Sequence, residues 1–166
     1  MTLQFVAENF IPVLAPVDIA STITTTNYVQ LAGAQKFAFL VEFGNINSTT
    51  AGDTEVVTVE AATADDGATE AAVSFRYRLS GAVGANTWGA ITTADTTGVS
   101  MTISDDNKFL WIELDPDELA ASDYRVARLV FTDTTDMTNC LVSVVGIFEG
   151  RYKQSTHWTA TASASA

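Results

Sequence analysis

The chain has 166 residues, 47% of them apolar, with 20 acidic against 8 basic side chains and a formal charge of −12. That length and apolar content argue for one folded domain able to bury roughly two-thirds of its unfolded surface, and against a disordered chain. The charge argues against partners built on phosphate, because binding nucleic acid or an anionic membrane needs Lys and Arg to displace counterions.

In chain order, residues 1–27 read as an extended arm. Pro12 and Pro16 interrupt any ladder, and Phe5, Phe10, Ile11, Val13 and Leu14 are apolar groups that the domain or a neighbour must cover. The start, Met1-Thr2-Leu3-Gln4, lacks the basic and apolar regions of a signal peptide, and no stretch has the roughly 18 apolar residues of a membrane helix. Synthesis and folding in a cytoplasm are the expectation. From Tyr28 the pattern is that of strands. Tyr28 to Leu31 is a weak candidate, and Lys36 to Phe43 and Glu55 to Ala61 read as largely buried strands. Ala72 to Leu79 alternates, with Val73, Phe75, Tyr77 and Leu79 on one face and Ser74, Arg76 and Arg78 on the other. Trp88 to Ile91 is a second weak candidate. Gly98 to Ile103 alternates again, with Val99, Met101 and Ile103 inward.

Lys108 to Leu114, Arg125 to Phe131 and Cys140 to Phe148 complete the set as buried strands. Between the first two, Asp115-Pro116-Asp117-Glu118 has an N-cap, a proline at the first helical position and an acid at the third, which predicts a helix of about two turns. Residues 153–166 form a small polar tail apart from Trp158. Eight or nine short strands with one short helix predict an all-β fold, an antiparallel β-sandwich or jelly-roll-like barrel over residues 28–152.

No residues assemble into recognisable chemistry. His157 is the single histidine and lies in the polar tail, where nothing would hold an imidazole for catalysis. Cys140, the single cysteine, opens an apolar strand and reads as a small core group, so neither an internal disulfide nor a cysteine zinc cluster can form. Asp65-Asp66, Asp105-Asp106, Asp115/Asp117/Glu118 and Asp133/Asp136 could supply an acid–base pair or a divalent-cation site. Each lies in a turn or helix cap, however, where Asp is favoured for backbone reasons, and none fits a calcium loop. No catalytic residue, metal site or cofactor is expected. Trp88, Trp111, Tyr77 and Tyr124 could form a sugar-binding platform, with Trp88 its best exposed member. Arg76 and Arg78 share a strand face and should meet carboxylates, within the domain or across a subunit boundary.

Several stretches resemble small virion structural proteins of tailed bacteriophages. These are Asn27-Tyr28-Val29-Gln30-Leu31 leading to Phe37-Ala38-Phe39-Leu40-Val41-Glu42-Phe43-Gly44, then Val57-Thr58-Val59-Glu60-Ala61-Ala62 with Asp65-Asp66-Gly67, and Phe75-Arg76-Tyr77-Arg78. Ile112-Glu113-Leu114-Asp115-Pro116-Asp117-Glu118-Leu119 and a last strand ending near Gly150-Arg151-Tyr152 complete the resemblance, which covers about residues 27–152. It implies first a capsid decoration (cement) protein, a class that is small, β-rich and often trimeric and sits over junctions of the major capsid protein on the outer face of the head. On that reading the interface would draw on Phe5, Phe10, Ile11, Val13, Leu14, Arg76, Arg78, Trp88, Arg151 and Trp158, and an acidic surface would face away from packaged DNA. The alternatives are a phage tail or neck component and a carbohydrate-binding adhesin module.

Overall fold

Two antiparallel sheets packed face to face enclose the core in the computed structural model, which describes residues 10–20, 22–50, 52–134 and 137–150 and the backbone of 160–161. The strands are β1 (Phe10–Asp18), β2 (Ile23–Thr25), β3 (Tyr28–Gln30), β4 (Ala34–Asn47), β5 (Glu55–Ala62), β6 (Ala71–Val73) and β7 (Phe75–Leu79). They continue as β8 (Thr92–Ala94), β9 (Val99–Met101), β10 (Phe109–Leu114), β11 (Val126–Asp133), β12 (Asn139–Gly150) and β13 (Ala160–Thr161), with one helix, α1 (Pro116–Ala121). One sheet runs β1-β12-β4-β10-β7-β8. The other runs β13-β3-β11-β5-β6, with β2 on β11 and β9 on β5. The all-β sandwich is therefore present, as two open sheets rather than a closed barrel.

The inward faces follow the period of two. Phe37, Phe39, Val41 and Phe43 of β4, Leu110 and Ile112 of β10 and Val142 and Val144 of β12 meet Val57 and Val59 of β5, Leu129 and Phe131 of β11 and Val29 of β3. Phe37 and Phe39 touch edge to face at 4.8 Å between centroids. Gly146 makes room for this packing, since a Cβ there would come within 3.1 Å of the Phe37 ring and 3.2 Å of Val13. Asp115 caps α1 as expected, its side chain accepting from the Asp117 and Glu118 amides, and α1 joins β10 to β11.

Four expectations are corrected. Residues 10–18, expected within the extended arm, are the edge strand β1, paired with β12, and it is this domain that covers Ile11 and Val13, which are buried in the core. The prolines are tolerated because an edge strand needs a ladder on one side only. Ala72 to Leu79 is not one strand: the chain leaves the seven-stranded sheet after Val73, passes Ser74, and enters the six-stranded sheet at Phe75. Ile103 does not continue the inner face of β9. It is 52% exposed in a 3-10 turn that Thr102 caps. Trp88 to Ile91 is a loop held by a single bridge between Ser80 and Trp88, with the strand β8 following it.

Candidate interaction surface

The outer face of the six-stranded sheet carries the side chains that the core does not take. Register places them in rows across the strands. One row runs Arg78 (β7), Trp111 (β10), Leu40 (β4), Val145 (β12), Pro12 (β1). The next runs Thr93, Arg76, Glu113, Ala38, Ile147, Phe10, and a third runs Ser80, Phe109, Glu42, Ser143. Phe10 is 45% exposed, Phe109 38% and Trp88 41%, while Leu40, Trp111, Val145 and Ile147 are partly exposed. Solvated sheet faces ordinarily alternate apolar-in with polar-out, so an outer face of this composition is the kind that a partner covers. Among the described residues nothing covers it.

Its polar groups are organised at the β7–β10 end. Glu113 uses both oxygens: Oε1 accepts from Trp111 Nε1 at 3.0 Å and Oε2 from Arg76 at 3.0 Å. Arg78 lies in the angle between two indoles, with its guanidinium carbon 5.1 Å from the Trp88 centroid and 5.9 Å from that of Trp111. The rings meet edge to face, 6.4 Å apart at 77°. Cation–π attraction and the apolar stem hold Arg78 there.

The outer face of the other sheet differs. Arg128 is paired with Glu60 and Glu70, both at 2.8 Å, and Tyr28 is buried beneath them. Burial, and then the hydrogen bond to Glu70, raise the Tyr28 phenol above its ordinary range. Charge here is spent inside the domain. Elsewhere, a cleft of about 340 Å³ between the β3–β4 turn and α1 is lined by Leu31, Gly33, Pro116, Asp117, Tyr124 and Arg125, with no convergence of reactive groups.

The expected site residues divide accordingly. Arg76, Arg78 and Trp88 come together, with Phe10 on the same sheet face. Ile11 and Val13 face the core instead, and Leu14 packs against it. Phe5, Arg151, Trp158 and His157 lie outside the described residues. The four-ring platform does not form: Tyr77 and Tyr124 pack against the core, and Trp88 and Trp111 are set at an angle rather than in one plane. Cys140 is buried, its thiol pushed up to about 12 first by burial and then by Glu55, Asp18 and Asp133.

The acidic turns hold backbone. Asp66 accepts from Ala68 N, Asp105 from Thr102 N, Asp106 from Ile46 N and Asp133 from Met137 N, and Asp136 lies outside the described residues. No group of three metal-ligating side chains occurs among the described residues.

Leu40, Phe109, Val145 and Ile147 were missing from the expected site. Their signal was present, because β4 and β12 are apolar on both faces. That pattern reads as burial between two layers, whereas among the described residues only one face meets a second layer.

No family model and no curated protein matches the chain. Among solved structures, a chain from infectious bursal disease virus, Gt strain, is similar with a TM-score of 0.25 and 12% identity, over 90% of this chain and 43% of that one. This chain thus spans less than half the length of that neighbour, and a likeness so slight carries nothing about function.

Proposed function

We propose that the chain is a non-enzymatic structural protein of a tailed-phage virion, a decoration protein that binds the outer surface of the major capsid protein lattice and reinforces the head. The observation that supports this reading is the apolar outer face of the six-stranded sheet, five strands wide along the row from Arg78 to Pro12. Burying a large aliphatic or aromatic side chain contributes about 1.5–3 kcal/mol, so a handful of these residues suffices for a stable contact. The charge of −12 suits the outside of a shell filled with DNA. On this reading the chain forms homotrimers, in which each subunit offers two different patches.

The test is co-sedimentation of the purified chain with assembled heads that lack it, read beside Leu40→Asp and Val145→Asp. Binding by the wild type, and its loss in both variants with unchanged circular dichroism, is the expected result. Exclusive binding to tails or necks would replace this reading with the tail-component alternative. Failure to bind any part of the particle, with binding on a glycan array abolished by Trp88→Ala, would replace it with the adhesin.

A further inference from the structure

We propose that Arg78, set in the angle between Trp88 and Trp111, is the anchor for a carboxylate carried by an apolar segment of a partner protein. This deepens the reading of the same sheet face and rests on it. Among the described residues the other three arginines each have a carboxylate: Arg76 with Glu113, Arg125 with Asp123, Arg128 with Glu60 and Glu70. Arg78 has none among the described residues, although the chain has 20 acids to 8 bases, and its Nε is buried there without a hydrogen-bond partner. Unpaired donors of this kind are costly to keep in a domain with acids to spare.

The carboxylate two residues along from Trp111 is withheld from it. Glu113 accepts from the Trp111 indole with one oxygen and from Arg76 with the other, so the ring that flanks Arg78 also turns that acid away. The indoles flank the guanidinium at 5.1 and 5.9 Å and its Nε is buried, while the group as a whole is a planar donor set of the shape that a carboxylate accepts in two-pronged fashion. From Arg78 the row Trp111, Leu40, Val145, Pro12 leads away across the sheet as an apolar track. The complementary ligand is therefore an Asp, a Glu or a terminal carboxylate at one end of an apolar stretch. A polyanion such as nucleic acid would be repelled by the net charge, whereas one carboxylate among apolar groups would not.

Two measurements test this on the full chain. In the first, the Arg78 Nε–Hε resonance is followed by NMR during titration with sodium propionate, propionamide and sialyllactose. A saturable shift with propionate and none with propionamide is expected. No shift with propionate overturns the proposal, and saturation by sialyllactose alone overturns it in favour of an anionic sugar. In the second, binding to assembled heads is compared for wild type, Arg78→Gln and Leu40→Asp. Arg78→Gln should weaken binding about tenfold or more, the size expected for losing a charged hydrogen bond. Should it not fold, Arg78→Lys takes its place with the same expected loss, because an ammonium lacks the planar fork. If Arg78→Gln binds like wild type while Leu40→Asp does not, the carboxylate anchor is wrong and the apolar face stands. If neither variant matters, the face itself is wrong.

Discussion

The guanidinium of Arg128 lies 4.7 Å from the centre of the Tyr28 ring and donates to Glu70 Oε2, the atom that also accepts the Tyr28 hydroxyl at 2.6 Å. One cation thus answers two carboxylates and an aromatic face, and its Nε donates to Glu60 at 2.8 Å. Arg128→Ala should destabilise the domain by roughly 2–4 kcal/mol, less than a fully buried pair because Glu70 is partly solvated. Arg128→Lys should recover less than half of that, since a point charge cannot serve both acids. Urea denaturation of the two variants measures both figures.

Glu55 is a carboxyl group inside the core, fully buried, with neither oxygen hydrogen-bonded, opposite Asp133 in the β5–β11 ladder. Burial, and then the charge of Asp133, push it up to about 8. The folded chain therefore holds a proton that the unfolded chain releases near pH 4–5. Stability from this proton is complete below that range and is lost as pH rises through about 8, a fall on the order of a few kcal/mol. Asp133 opposes its ionisation, and the Glu55 charge in turn helps, with Asp18 and Asp133, to hold the Cys140 thiol protonated. Glu55→Gln should flatten the stability curve between pH 5 and 9 and exceed wild type at the alkaline end. A wild-type urea midpoint that does not fall over this range would contradict the assignment.

Gly98 has a φ of +85°, and a Cβ there would lie 2.4 Å from Val57 O and 2.7 Å from Thr58 Cγ2. Gly84 has a similar φ of +81° but open space around it. Both alanine variants carry the backbone penalty of about 1 kcal/mol, while Gly98→Ala adds an overpacking cost for a total of roughly 2–4 kcal/mol. Melting the pair side by side separates conformation from collision. Equal losses would show that β9 shifts to accommodate the methyl.

Asp18 ties the end of β1 to β12. Its Oδ1 accepts from the Cys140 amide at 2.9 Å and from Ala20 N at 3.1 Å, and its Oδ2 from Asn139 Nδ2 at 3.0 Å. Asp18→Ala should cost about 1–3 kcal/mol. It should also raise amide exchange along β1 well before that of β4 or β10, which exchange mass spectrometry would resolve.

The long strands were legible because their inward side chains alternate and because Asp115-Pro116 marks a helix start that needs no tertiary partner. β1 was not, since Pro12 and Pro16 say only that the segment cannot lie mid-sheet, and an edge strand and a free arm satisfy that equally. The crossing at Ser74 was hidden for another reason: Val73 and Phe75 suit a strand whichever sheet they join. In the candidate site, Arg76 and Arg78 are equivalent by spacing. What separates them is the Trp111 indole donating to Glu113, a contact between groups on a strand that only folding brings beside theirs. The apolar outer face was visible as excess hydrophobicity in β4 and β12, but sequence periodicity cannot say whether the second covering layer comes from the same chain.

The edge strand β1 has a consequence for how copies of this molecule can add to one another. Its register slips between Pro12 and Leu14 and again between Leu14 and Val17, so its outer border is kinked and short of amide donors. A second molecule finds no straight template there, and strand-on-strand elongation has no growing end at that border. At that border association is left to broadside contacts; on the proposed decoration reading these saturate when the receiving sites are filled, so the bound amount should level off at a fixed ratio instead of rising with supply.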